Sequence, residues 1–187
     1  MSEHINGVNL NNISALIGAI QENNDLSKVR FHVESSWAGG TQTKVRVNEM
    51  YANEQNIARE DRNFEMIVDE PAQLGGVDEG PNPVETIAAG LCGCITAGMA
   101  TNGALFGTEF KKIDMDCDVF FDVRGVFGLD KTDTIPNGAL RINLNIRAKS
   151  DADEAEVRKV KEIIDRKSPM KNTLELPLEI TTNLIIE

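Results

Sequence analysis

The sequence predicts an α+β fold, and three observations carry that reading. From Val84 to Leu105 almost every residue is apolar or small, the pattern of a helix buried on all sides. Long runs of strict apolar/polar alternation lie beyond it, with the period of half-buried strands. The order along the chain is helix, strands, central helix, strands, helix, strand, which is not a βαβ alternation. At 187 residues the chain is long enough to bury a core without a disulfide or metal staple, so residues 1–187 are expected to form one domain with an N-terminal helical extension at about 9–24.

Taken in order, Leu10, Ile13, Leu16, Ile17 and Ile20 fall at helical spacing within Asn9–Asn24, predicting a short amphipathic helix. Val29, Phe31 and Val33 alternate with Arg30, His32 and Glu34, predicting a strand. Trp37 to Thr41 supplies turn chemistry and Lys44–Val47 a second strand, making a hairpin. Residues 48–63 are polar and weakly patterned, expected as loop with an ill-defined strand or helical turn. Phe64–Val68 is a strand, followed by a Gly/Pro-rich loop from Asp69 to Pro83. Asn82 is a preferred N-cap, Pro83 suits the first helical position, and Glu85 can close a capping box, so the central helix starts here. Ile113, Met115, Cys117, Val119, Phe121 and Val123 share one face of a strand whose other face is mostly acidic. Gly125–Gly138 is the turn to a strand over Leu140–Ile146. Ser150-Asp151 is expected to cap a helix to about Lys167 with Val157, Val160, Ile163 and Ile164 inward. Ser168-Pro169 ends that helix, and Leu176, Leu178, Ile180 and Leu184 close the chain as a strand, which Pro177 confines to an edge.

Charge and composition narrow the function. Nineteen Lys and Arg against 30 Asp and Glu give a net charge of −11 and a pI near 4.7, which disfavours nucleic acid and anionic membrane as partners. The N-terminal residues lack the basic and apolar regions of a signal peptide, and no apolar run approaches about 18 residues, so no segment is expected to span a bilayer. The three cysteines then read as reduced thiols of a cytoplasmic protein rather than a disulfide framework.

Few constellations offer chemistry. Cys92 and Cys94 lie two residues apart on the predicted helix, about 200° around its axis, so their sulfurs face opposite sides and share no metal. With only His4 and His32 elsewhere, no metal or cofactor is expected. Asp114, Asp116 and Asp118 suggest a calcium loop, but Val119 stands where that loop needs Gly and Gly125 where it needs Glu. Gly75-Gly76 lacks the spacing and lysine of a phosphate cradle. The acids of the loop (Asp69, Glu70, Asp78, Glu79) read as solvated, and Cys117 as a small buried hydrophobe.

The run Asp69-Glu70-Pro71, Leu74-Gly75-Gly76, Asp78, Gly80-Pro81-Asn82-Pro83 and Glu85, continuing through Ala88-Ala89-Gly90-Leu91-Cys92-Gly93-Cys94, resembles the OsmC/Ohr family of osmotically inducible and organic-hydroperoxide-resistance proteins. Ser168 to Leu174 resembles the family's second landmark, and the likeness covers about two thirds of the chain. It implies buried central helices packed together between flanking antiparallel sheets in an intertwined homodimer. It also implies reduction of organic hydroperoxides by a helix cysteine whose thiolate an Arg and a Glu support and a second cysteine resolves. Cys94 matches the peroxidatic cysteine. Val84 stands at the supporting glutamate and Ser168 at the resolving cysteine, so an external thiol, or a rearrangement bringing up Cys92 or Cys117, would have to resolve the sulfenic acid. The resemblance implies that the supporting Arg comes from the segment before the Gly/Pro loop, where Arg62 and Arg59 are the candidates. Between Asn63 and Phe110 there is no Lys or Arg and there are seven Asp or Glu, so the cation is expected from elsewhere in the chain or from the partner subunit. A free thiol is only a few per cent ionised at neutral pH, and Cys94 lies about three turns from the helix start, beyond the reach of the helix dipole. The expected function is therefore thiol-dependent peroxide reduction through Cys94. The alternative is a non-catalytic dimer of the same fold that binds a small apolar ligand between subunits.

Overall fold

The central helix begins where its capping residues dictate. In the computed structural model, which describes residues 4–186, the Asn82 side chain accepts from the Glu85 N–H at 2.8 Å, and Glu85 accepts from the Asn82 N–H at 2.8 Å. This reciprocal pair satisfies two of the orphan donors that every helix start leaves. The chain has two compact units, one built from the residues up to Val8, Gly90–Asp118 and the segment from Asn143 onward, the other from Asn9–Ala89 and Val119–Ile142.

In the first unit, strands β1 (His4–Ile5) and β2 (Val8–Asn9) form a small hairpin. Its turn residues Asn6 and Gly7 both have positive φ, the backbone that a two-residue hairpin loop demands. The Asn6 side chain donates to Ala100 O and Thr108 O, each at 3.0 Å, and accepts from Phe110 N at 2.7 Å. It thus fastens the hairpin to the end of the central helix and the start of the next strand. Gly103 is required there, since a Cβ would come within 2.7 Å of Thr108 O.

After α1 (Leu10–Glu22), capped by Asn9, the second unit continues with two three-stranded sheets. Strands β3 (Val29–Phe31), β6 (Met50–Ala52) and β7 (Gln55–Asn56) form one; β4 (Glu34–Gly39), β5 (Gln42–Val47) and β8 (Phe64–Val68) form the other. All pairings within them are antiparallel. The expected hairpin exists but uses β4 and β5, with Glu34 opposite Arg46. The expected strand of Val29, Phe31 and Val33 stops at Phe31 and pairs instead with Met50–Ala52, within the stretch that reads as loop. A three-residue strand carries too few alternations to register as a periodicity, which is why β6 and β7 escape sequence reading.

Helix α2 (Pro83–Phe106) then crosses from the second unit into the first. The expectation that it is buried on all sides does not hold for the single chain. Leu91, Ile95, Met99 and Gly103 form one buried stripe at four-residue intervals, joined by Ala104, while Ile87, Gly90, Gly93, Ala97 and Leu105 are exposed. Over an 18-residue window the mean hydropathy is 1.4 and only 17% of residues are buried. Contrary to the expectation that no segment could span a bilayer, α2 is long and apolar enough to do so by length and composition alone; Gly and Thr interrupt its apolar runs, and the average over the helix still stays apolar.

Strands β9 (Phe110–Phe120) and β10 (Arg141–Ser150) pair. They run antiparallel, with Leu140 N donating to Phe120 O at one end and Ser150 Oγ to Glu109 O at the other. The predicted strand through Val123 ends at Phe120; Val123 starts a single helical turn, α3 (Val123–Val126), capped by Asp122. Ser150 finishes β10 and does not cap the next helix: its hydroxyl donates to Glu109 O and accepts from Ala152 N at 3.1 Å, closing the turn that leads to Asp153 at the helix start. Helix α4 (Glu154–Lys167) starts after Asp153, and its Val160 and Ile164 are buried, the latter with Cδ1 where a Cβ on Gly98 would stand. Ser168 does not simply end α4. It also N-caps a further helix, α5 (Pro169–Glu175), accepting from Lys171 N. The terminal segment, expected as a strand, forms no strand among the described residues; Ile180 is 84% and Leu184 86% exposed.

Candidate functional site

Two faces of α2 carry its two cysteines in different directions, as the helical angle requires. Cys94 turns toward the junction of α4 and α5, where its sulfur lies 3.4 Å from Ser168 Oγ. Ser168 is 1% exposed and held from both sides. Its N–H donates to Ile164 O as α4 closes, and its carbonyl accepts from Asn172 Nδ2 at 2.8 Å and Asn172 N at 3.0 Å. Because Ser168 Oγ already accepts from Lys171 N at 3.2 Å, its single proton is free to point at the sulfur. With Cys94 as a thiol either group can donate. With Cys94 as a thiolate only the hydroxyl can, and such a bond to charge is roughly twice as strong as a neutral one. The residues at the peroxidatic and resolving positions, 74 apart in sequence, thus meet in space.

The last turn of α4 brings Arg166 and Lys167 up to that junction, and two further lysines nearby are paired. Lys171 Nζ pairs with Glu175 at 2.6 Å and Lys161 with Asp165 at 2.5 Å. Among the described residues, Ser168 is the hydrogen-bond partner found for Cys94. Arg62, the expected cation, belongs to the other unit. Its guanidinium lies over the Phe64 ring, 4.9 Å from the centroid, and its Nε is buried without a hydrogen-bond partner. Arg59 is paired with Asp61 at 3.2 Å. Val84, at the expected glutamate position, is half-buried in the first turn of α2.

Cys92 turns the other way, toward β9. There Thr96 Oγ1 donates to Met115 Sδ at 3.7 Å, and one turn up the helix Cys92 neighbours Cys117, two residues further along the strand. Burial pushes the Cys117 thiol up, and the adjacent Cys92 sulfur adds to that shift. Both thiols are half-buried. The sequence reading of Cys117 as a plain buried hydrophobe misses this neighbour, which only the helix–strand register brings to it.

The Gly/Pro loop holds a second departure from expectation. Asp69 is not solvated; it is 1% exposed and accepts from Thr41 Oγ1 at 2.7 Å, Glu70 N at 2.8 Å, and Val77 N and Glu79 N at 3.3 Å each. These bonds, led by that from Thr41, hold its carboxyl below the usual carboxylate range. Gly76 is needed for the same fold-back, since a Cβ there would lie 1.7 Å from Glu70 O. The second unit also carries a groove of about 790 Å³ along β5 and β8, lined by Val45, Arg46, Glu65, Met66 and Ile67 among others.

Comparison with known proteins fits this arrangement. The family model described as OsmC-like protein matches residues 76–183, a span holding Asn82, Cys94 and Ser168. No curated protein matches the sequence. Among solved structures, the chain is similar to an OsmC-like protein from Mycoplasma pneumoniae at 17% identity, covering 78% of this chain and 87% of that one with a TM-score of 0.59. It is also similar to an OsmC-like protein of unknown function from Vibrio cholerae at 8% identity, covering 78% and 94% with a TM-score of 0.59. At such identities the likeness is one of fold. The family match spans more than half the chain, and on it the protein belongs to the OsmC-like family.

Proposed function

We propose that the protein reduces organic hydroperoxides through Cys94, using an external thiol as reductant. The observation that supports this most directly is the contact between Cys94 and Ser168, in a chain whose family membership gives that helix cysteine a redox precedent. In the reaction, the Cys94 thiolate attacks the outer oxygen of the hydroperoxide. The O–O bond breaks, the alcohol leaves with a proton, and Cys94 becomes a sulfenic acid. With serine at position 168, an incoming thiol forms a mixed disulfide and releases water. A second thiol then expels Cys94 in reduced form. One hydroperoxide and two thiols thus become alcohol, water and a disulfide. The Ser168 hydroxyl serves as the donor that supports negative charge on the sulfur; Arg62 enters this reading through the resemblance alone.

The working form in this proposal is a homodimer. It is supported by the exposed small and apolar face of α2, with Ile87, Gly90, Gly93, Ala97 and Leu105, and by the exposed apolar tail. Small residues let two helix backbones approach closely, and a second copy supplies an equally apolar cover. A reduced cytoplasm would supply the thiol.

The test is turnover of cumene hydroperoxide with dithiothreitol as reductant by the full chain. Turnover that disappears in Cys94→Ser supports the proposal. Background consumption unchanged by that substitution would overturn it and favour the non-catalytic alternative, a dimer binding a small apolar ligand.

A further inference from the structure

Cys94 is not the only thiol positioned to react. On the opposite side of α2, the Thr96–Met115 contact at 3.7 Å sets the register between helix and strand. Four residues back along the helix is a rise of about 6 Å. Two residues forward along the strand is a rise of about 6.6 Å. The two steps match, so the register set by Thr96 and Met115 places Cys92 and Cys117 opposite each other, with the Cys92 sulfur close enough to add to the upward shift of the Cys117 thiol. No metal ligand set surrounds them among the described residues, and both remain half-buried, within reach of a small oxidant.

We propose that Cys92 and Cys117 are a second redox site, a helix-to-strand dithiol that hydroperoxides convert into an intrachain disulfide. The Cys92 sulfur, as thiolate, attacks the outer peroxide oxygen; the O–O bond breaks, and the alcohol or water leaves with a proton. Cys117 gives up its proton and attacks the Cys92 sulfur, the S–O bond breaks, and water leaves. Two thiols lose two electrons and the peroxide gains them. Cys117 is assigned the resolving role because burial disfavours its thiolate. The pair needs neither Cys94 nor Ser168, so it stands or falls separately from the peroxidase reading. Its consequence is mechanical. The bond would tie α2 to β9 on the face opposite Cys94, giving the protein an oxidised state with a pinned central helix.

The experiment uses full-length Cys94→Ser, which leaves Cys92 and Cys117 as its two thiols. After treatment with hydrogen peroxide or cumene hydroperoxide, remaining thiols are alkylated and the chain is digested with trypsin without reduction. The expected result is a monomeric chain that takes up no alkyl group, with peptide 63–111 linked to peptide 113–124 and the link lost on dithiothreitol treatment. Alkylation of both cysteines after oxidation, a link only between separate chains, or over-oxidation of Cys92 with Cys117 still alkylatable would each overturn the proposal. Circular dichroism of the variant before oxidation shows that the folded protein is the species tested.

Discussion

The Ser168 hydroxyl has two duties that mutations can separate. It caps α5 and it faces Cys94. Ser168→Ala is expected to cost about 1 kcal/mol of stability as a lost cap. It is also expected to slow Cys94 oxidation about tenfold, the worth of roughly 1.4 kcal/mol for a bond to charge; thermal melts and oxidation rates read the two separately. Ser168→Cys restores a thiol facing Cys94 and is expected to yield a disulfide between the two positions on mild oxidation, detected by non-reducing peptide mapping. Asp69 governs acid stability. Its folded carboxyl is depressed, so its contribution is fully present above the unfolded value of about 3.9 and is lost as pH falls through the folded one. Asp116, Asp122 and Asp130 are depressed in the same direction. Stability measured by urea unfolding is expected to stay level between pH 7 and about pH 5 and to fall below about pH 4, with Asp69→Asn losing part of that dependence. At this scale the sequence is half legible. Cys94 and Ser168 are visible through the resemblance, but the burial of Asp69 depends on Thr41 and on three backbone N–H groups. No composition argument finds those partners.

Among the elements, those with strong local chemistry are the ones the sequence announces. The Asn82–Glu85 capping box sets the start of α2 to the residue. Asn82→Ala is expected to lower stability by about 1 kcal/mol, read as a shift of the urea midpoint without a change in slope. Strands β8, β9 and β10 are legible by alternation. The misses are of two physical kinds. β6, β7 and α3 are too short to show a period. Ser150 and Ser168 both read as a helix boundary from residue type; Ser150 instead donates to the distant Glu109 O, while Ser168 does end α4 and, by accepting from Lys171 N three residues on, also begins a further helix. The angular separation of Cys92 and Cys94 is a local property of any helix, and the structure sends them to different neighbours accordingly.

The whole molecule presents more apolar surface than one chain can cover. Alternation and helix periodicity identify which faces are apolar, but not what lies against them; α2 reads as buried, and in the single chain only one stripe of it is. The tail from Leu176 to Ile186 is exposed as well, at Leu178, Ile180 and Leu184, and exposed apolar side chains in such number are unusual for a monomer. Sedimentation equilibrium at micromolar concentration is expected to give a dimer, and Ala97→Arg on the exposed face of α2 to weaken it. A wild-type monomer would contradict that expectation.

The central claim concerns Cys94 and can be tested in one turnover. The reduced full-length protein is mixed with cumene hydroperoxide, sulfenic acid is trapped with dimedone, and fragment ions locate the adduct on the peptide that carries Cys92 and Cys94, with Cys94→Ser as control. The account predicts an adduct on Cys94 that forms orders of magnitude faster than on free cysteine. Formation at the rate of free cysteine, or with no preference for Cys94, would contradict it.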